Sequence, residues 1–481
     1  MDTDCQQASL FFQPHFQREV RADFSGSRVS SDGGALLLRE VANKTGLLQS
    51  AASCFTDHRN QTFVEHDLTC LVSQRVLGLC LGYEDLNDHD FLQGDSLLAL
   101  ACGRHDHQGH DRHQPEDYGK PLASSSTLNR LELAVPPLGG ETPVVDRYHK
   151  VIFDPDAGQQ LFADLYAKSH RHPPKQVILD LDATDDVLHG QQEGRFFHGY
   201  YDSYCYLPLY IFAGSHLLWA EQRPSNQDAA TGSVAAVSSI ISRLREVHGW
   251  HRTTFIILGD SGFCRDDLMT WCEANRVHYI LGLAKNSRLE AKVSDAMAQA
   301  VDTATQGQQR ITEYTRFAYR TRTSWSRERT VTAKVEALPS PREDDDSIKQ
   351  NHRFVVSSLP PSRHSPKALY RNWYCPRGDM ENRIKEQQLD LFADRTSTAR
   401  LWSNQIRLWF SSVAYCLMDA LRRTALSKTA MAKAQCGTIR LRLLKIAATI
   451  RTTTRRIWIS LSGCHPAEPV FRHAAAVLHQ T

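Results

Sequence analysis

The chain has 481 residues, 41% hydrophobic and 23% charged, with a formal net charge of +2. That length allows two to four globular domains. No apolar run reaches the roughly 18 residues of a membrane span, and the start, Met-Asp-Thr-Asp-Cys-Gln-Gln, lacks the basic and apolar regions of a signal peptide; a cytoplasmic, nucleoid-associated protein is expected. Twelve cysteines run from Cys5 to Cys464 without a Cys-x-x-Cys pair, so free, mostly buried thiols are expected rather than a disulfide frame or zinc ribbon.

Residues 1–25, polar and glutamine-rich around Pro14, read as irregular. Beyond them the spacing of leucines and valines predicts helices over 35–48, 64–83 and 91–102, and Ser/Thr capping chemistry predicts a fourth over 124–132. The polar stretch 103–120 carries His105, His107, His110 and His113. Their spacing fits no closed tetrahedral site and no cysteine joins them, so the stretch reads as a solvated connector.

After Pro173-Pro174 the pattern changes. Strands are predicted over 176–182, 205–212, 216–220, 253–258 and 278–283, with helices over 229–247 and 265–275. Strands alternating with helices imply a mixed α/β sheet. Residues 310–335 and 353–358, separated by the acidic turn Glu343-Asp344-Asp345-Asp346, read as antiparallel strands inserted into that domain. Helices resume over 380–392 and 398–423. From Leu421 to Arg456 there is no acid, against ten lysines and arginines. Interleaved with Leu441, Leu443, Leu444, Ile446 and Ile450, they suggest a basic amphipathic helix lying over a polyanion.

Three acids sit in contexts that carry chemistry. Val-Ile-Leu-Asp-Leu-Asp-Ala-Thr ends a strand at 180–182, Ile-Ile-Leu-Gly-Asp-Ser-Gly-Phe ends another at Asp260, and Arg-Gly-Asp-Met-Glu-Asn-Arg-Ile-Lys-Glu opens a helix around Glu381. Two strand-end aspartates and a helical glutamate suit a pair of hard divalent cations, Mg²⁺ or Mn²⁺, held about 4 Å apart over a phosphodiester. The strand period puts Asp180 and Asp182 on one face, so both remain candidates; Asp182, nearer the strand end, is preferred. Asp185 and Asp186 read as solvated loop. Asp260 also suits an N-cap. Glu386, five residues beyond Glu381, points about 140° away. Trp402, Arg407 and Trp409 read mainly as core, and Lys285-Asn286, at a strand end near Asp260, as either a contact to the DNA backbone or a solvated loop.

With these motifs the chain resembles bacterial insertion-sequence transposases of the DDE class, group 1, the IS-thirteen-eighty type. Asp182-x-Thr184, Gly259-Asp260-Ser-Gly-Phe263 and Tyr374-x-x-Arg377-x-x-x-Glu381 match that class's three acid motifs. Val29-Ser-Ser-Asp-Gly-Gly34, Gly82-Tyr-Glu-Asp85, Cys205-Tyr-Leu-Pro-Leu209 and Glu381-Asn-Arg-Ile-Lys385 match the subgroup. The resemblance runs from about residue 20 to 460. It implies an α/β fold: a ribonuclease-H-like catalytic domain (146–290 and 366–420) with an inserted β-rich subdomain (291–365), a mostly helical DNA-binding region (1–145) and a basic helical tail (421–481). The 121 residues from Asp260 to Glu381 agree with such an insertion. It also implies Asp182, Asp260 and Glu381 as catalytic metal ligands for two Mg²⁺ or Mn²⁺ ions. Tyr374, Arg377 and Lys385 are the implied DNA contacts, the arginine fork suiting two phosphate oxygens at once. Double-stranded DNA at terminal inverted repeats, target DNA and a second copy on paired ends are the implied partners. In one departure, Gln388 stands where the broader signature has a lysine. The rival readings are a ribonuclease-H-like nuclease that cuts without joining, and a DNA-binding relic.

Overall fold

The computed structural model describes residues 10–134, 149–307, 309–339 and 347–479; the acidic turn at 343–346 lies outside them. The expected irregular N-terminus instead contains an antiparallel hairpin, β1 (Leu10–His15) with β2 (Arg18–Ala22), turned at Phe16 with φ 56°. After β3 (Val29–Ser30), the helix expected over 35–48 is two, α1 (Ala35–Thr45) and α2 (Leu47–Ala52), because Gly46 between them adopts φ 65°. β4 (Phe55–Asp57) leads to α3 (Leu68–Leu81), capped by the Asp67 carboxylate at its start and ended by Gly82 at φ 94°. Nearly all of α3 is buried, including Ser73, Gln74 and Arg75 among its apolar residues. The helix expected over 91–102 is broken into α4 (Asp88–Leu92) and α5 (Ser96–Ala101), since Asp95 accepts the Leu97 and Leu98 N–H groups and starts a new helix. α6 (Ser125–Glu132) is as expected.

The histidine-rich stretch is mostly exposed, as expected, but it is knotted locally and anchored through His107. The Asp106 carboxylate accepts the N–H groups of Gln108, His110 and Asp111. His107 is buried 2.9 Å from Thr452 Oγ1.

β5 (Val151–Phe153) pairs with β4, and α7 (Pro155–Lys168) is an addition to the expected elements. β6 (Gln176–Ala183) then enters the main sheet. The strand expected over 205–212 is two. β7 (Asp186–Val187), β8 (Phe196–His198) and β9 (Ser203–Tyr206) make a small separate sheet, whereas β10 (Leu209–Ala213) and β11 (His216–Glu221) belong to the main one. Pro208 separates them, having no N–H for a ladder. α8 (Ser233–Ser242), β12 (Thr254–Gly259), α9 (Asp266–Ala274) and β13 (His278–Leu283) follow as expected, and α10 (Ser287–Lys292) and α11 (Ser294–Gly307) are additions. β14 (Ile311–Tyr319), β15 (Arg329–Pro339) and β16 (Ile348–Ser357) are antiparallel, as read from their alternation.

Among the described residues the main sheet has eight strands, in the order β11-β10-β6-β12-β13-β16-β15-β14. β6, β12 and β13 are parallel to one another, and β16 joins the edge of β13 antiparallel. The strands read as an insertion thus continue the same sheet. Helices α7, α8, α9 and α11 cover one face through Leu179, Leu181, Phe255 and Ile257. The other face, carrying Ile178, Ile256 and Leu258, is covered by Leu369 and Tyr370 beyond α12 (Pro366–Ala368). β12 is apolar and buried on both faces from Phe255 to Gly259, as a central parallel strand must be.

α13 (Gly378–Leu391) and α14 (Leu401–Thr424) come next. Trp409 in α14 is core, and Trp402 packs against it. α14 shares one hydrophobic core with α1, α3 and α6. At that junction Glu132, 1% exposed, receives Arg75 Nε at 2.8 Å and Arg407 Nε at 2.7 Å. The basic stretch 421–456 is not one amphipathic helix. Among the described residues from 421 on, helix is confined to the last turn of α14, then α15 (Cys436–Ile439) with one irregular turn, and α16 (Glu468–His479). Between them β17 (Ala448–Thr453) and β18 (Arg456–Leu461) form a hairpin on β3, because the threonines and isoleucines at 449–459 favour a pleated strand. Two of the subgroup motifs meet here: buried Asp32 accepts from Tyr83 at 2.6 Å and pairs with Lys445 at 2.6 Å. Glu84 and Asp85 both hold Arg395. The described cysteines are free and mostly buried. Among the described residues no helix is long and apolar enough to cross a membrane.

Candidate active site

β6 and β12 run side by side, with Gly259 opposite Leu181 in the ladder. Asp182 and Asp260 therefore leave the same end of two adjacent parallel strands. α13 brings Glu381 and Lys385, one turn apart, to the same place. These four line a cavity of about 510 Å³, together with Thr184, Gln388 and a tyrosine-bearing turn at 199–202.

The two aspartates of β6 part company. Asp180 receives Arg377 Nε at 2.7 Å, and Arg377 Nη2 donates to the Leu181 carbonyl at 3.0 Å. Asp182 faces the cavity, and its Oδ1 accepts the adjacent Ala183 N–H at 3.0 Å. Burial pushes Asp182 up to about 7; Arg377 opposes the rise and Asp260 adds to it. Burial also raises Asp180, with Arg377 opposing. Asp260 caps a short turn, its Oδ1 taking the Gly262 N–H at 2.8 Å, and lines the cavity as well. Glu386 turns away from the cavity, pairing with Arg422 at 2.9 Å.

Tyr374 and Arg377 are not among the residues lining the cavity. Two donors of the Arg377 fork are spent on β6, so it does not present a free fork to phosphate. Tyr374 packs beside Tyr370, and burial raises its hydroxyl. Its hydroxyl lies so close to Gly282 that a Cβ there would come within 2.5 Å of it, which is why this position is glycine. Asn286 caps α10.

Asp186, expected in solvent, is fully buried. It accepts Gln222 Nε2 at 3.0 Å and Gln388 Nε2 at 2.9 Å. Burial carries it to about 7, with both glutamines opposing the rise. Gln388 is thus engaged at the position where a lysine was expected. No signal in the sequence marks Asp186 as buried, because its partners lie 36 and 202 residues away.

The donor set at the cavity is carboxylate oxygen, which matches hard divalent cations rather than zinc. Among the described residues no group of three His, Cys, Asp or Glu side chains is arranged to hold one ion. The fit therefore rests on donor chemistry and on the adjacent strand-end pair.

The family model of the transposase DDE domain, group 1, matches residues 12–481. The chain belongs to the transposase DDE domain group 1 family. No curated protein matches it. Membership in this transposase family implies DNA at element ends as the partner, and divalent metal ions are the family's usual cofactor. His198, Tyr200 and Tyr201 of the aromatic run Phe196-Phe197-His-Gly-Tyr-Tyr-Asp-Ser-Tyr204 also line the cavity; the density of rings is the one signal for them in the sequence.

Proposed function

We propose that this transposase-family chain cleaves and joins insertion-sequence ends, with Asp182, Asp260 and Glu381 holding two Mg²⁺ or Mn²⁺ ions. The observation that carries the reading is the meeting of two strand-end aspartates and a helical glutamate in one open cavity. Such ions, when bound, supply positive charge against the charge that builds on a phosphodiester and activate the attacking oxygen.

The chain's own residues prepare the site. Asp182 and Asp260 repel each other while both are ionised, and a cation relieves that repulsion. Arg377 clamps Asp180 and the Leu181 carbonyl, which fixes the end of β6, and its charge favours the ionised form of Asp182. Lys385 lies exposed on the cavity wall, where an ammonium can meet a phosphate oxygen. Tyr374 and Arg377 act on DNA through the shape they give this wall. A second copy would engage the paired end, and the IS-thirteen-eighty subgroup is supported by the quoted motifs.

The test is strand cleavage and strand transfer on DNA carrying the sequences that flank the gene. Asp182→Asn, Asp260→Asn and Glu381→Gln should each abolish both reactions in Mg²⁺. Cleavage intact in any one of them would remove that residue from the set. Cleavage without joining of pre-cut ends by the unaltered protein would make it a nuclease.

A further inference from the structure

A second cavity, of about 360 Å³, lies where the N-terminal helices meet the edge of the main sheet. Val41 of α1, Phe162 and Tyr166 of α7, Leu217 of β11, and Tyr415 and Asp419 of α14 line it. Most of its surface is apolar, and the exposed Lys44 and Lys168 mark its opening. It shares no lining residue with the acid cavity. Asp419 is 2% exposed. Its Oδ2 accepts Arg423 Nε at 2.6 Å and Ser215 Oγ at 3.2 Å. Its Oδ1 is buried and has no hydrogen-bond partner among the described residues.

A buried carboxylate oxygen without a donor is costly. The hydroxyl donors of the lining are already spent. Thr45 donates to the Val41 carbonyl at 2.8 Å, Ser169 to Tyr166 at 2.7 Å, Tyr415 to Ser215 at 3.0 Å and Thr424 to Ala420 at 2.6 Å. An ordered water is the simplest donor for Oδ1. Such a water needs two to four polar partners, and with these hydroxyls turned to the backbone and most of the wall apolar, few stand ready. The charges narrow the choice further. Asp419 and Arg423 form an ion pair, and burial holds His216 down to about 4, so the deep lining has no net charge at pH 7. Lys44 and Lys168 add positive charge at the rim. A neutral donor fits this cavity better than a cation. The space is more than twice the cavity of about 150 Å³ that holds benzene. The rings of Phe162, Tyr166 and Tyr415 suit an aromatic guest, edge to face or offset.

We propose that this cavity binds a small neutral aromatic molecule, one or two rings across, whose single O–H or N–H donor meets Asp419 Oδ1. The guest bridges α1, α7 and α14, and so joins the N-terminal helices to the main sheet. The inference is independent of the DNA-cleaving reading of the acid cavity.

The test uses the full chain with neither DNA nor metal. The probes are 2-naphthol and 2-methoxynaphthalene, which share a ring system and differ in the donor. The anisotropy of their own fluorescence reports binding. 2-Naphthol should bind at one site, more tightly than its methyl ether by about 10- to 100-fold, the worth of one hydrogen bond to a charged acceptor. In Asp419→Asn the amide oxygen stays with Arg423 and Ser215, which both donate, and the amide nitrogen takes the place of Oδ1. The preference for 2-naphthol should vanish there. Ala420→Leu, which narrows the cavity, should weaken both probes by at least about tenfold. Circular dichroism and the melting temperature show that each variant is folded. The comparison of the two probes on the unaltered protein stands even where a variant fails to fold. No binding of 2-naphthol, equal binding of the two probes, a preference kept in Asp419→Asn, or binding unchanged in Ala420→Leu would each overturn the site.

Discussion

Replacing Asp182 by asparagine should stabilise the metal-free protein at neutral and alkaline pH, although it removes a carboxylate from the proposed metal site. Asp182 is raised from its ordinary value of 3.8 to about 7, first by burial and then by Asp260. Between those limits the folded chain keeps a proton that the unfolded chain releases, so stability falls as pH rises through this window and levels above it. Each tenfold change in acidity corresponds to about 1.4 kcal/mol. The full rise would place the cost of ionising Asp182 on the order of 4 kcal/mol. The side chain keeps some contact with water, which lowers the expected figure to about 2 kcal/mol. Asparagine has nearly the same shape and does not titrate. Chemical unfolding with a chelator present, at about pH 4.5 and about pH 8, measures the effect. The stability of Asp182→Asn relative to the unaltered protein should improve by about 2 kcal/mol between the two conditions. Asp186, also raised to about 7, is present in both proteins and cancels from the difference. Adding Mg²⁺ at pH 8 should then reverse the order, since only the intact site gains binding energy, about 2.7 kcal/mol at a hundred times the dissociation constant. A pH-independent difference, or a variant less stable than the unaltered protein at pH 8 without metal, would refute this account of Asp182.

Arg377→Ala should destabilise the fold by about 3–5 kcal/mol, because it leaves Asp180 buried without its partner; Asp180→Asn in the same chain should recover most of the loss in denaturant midpoint, and failure to do so would mean that Arg377 acts elsewhere. Glu132→Gln should cost a similar amount, about 3–5 kcal/mol, by stranding Arg75 and Arg407 between α3 and α14; thermal unfolding reads this directly, and a change below about 1 kcal/mol would show that the ionic triad is replaceable by neutral hydrogen bonds.

Local patterns made much of this chain legible. β6, β12 and β13 are short apolar runs bounded by turn residues, and α6, α9, α13 and α14 carry caps or periodic apolar positions; these signals lie within a dozen residues of the element they define. The same locality exposed Asp182 and Asp260, because a carboxylate at the end of an apolar strand is conspicuous, and Glu381, in the first turn of α13. Local chemistry is a poor guide where it is ambiguous. Basic residues among leucines and isoleucines suggested a helix at 421–456, but the β-branched run at 449–459 pairs with β3, more than 400 residues earlier. The polar histidine stretch is mostly exposed as its composition suggested, but nothing local announced the Asp106 knot or the contact of His107 with Thr452 that holds it to the tail.

What the sequence alone determined is part of the inventory: the strands β6, β12 and β13, helices such as α9, α13 and α14, and the three acids that end or open such elements. The tertiary structure decided which side chains meet. It put Asp182 on the cavity and gave Asp180 to Arg377, buried Asp186 under Gln222 and Gln388, and set Tyr200 beside the acids. Periodicity fixes the face on which a residue sits, but the partner across that face comes from register and packing between segments far apart in the chain, and no short window of sequence contains it.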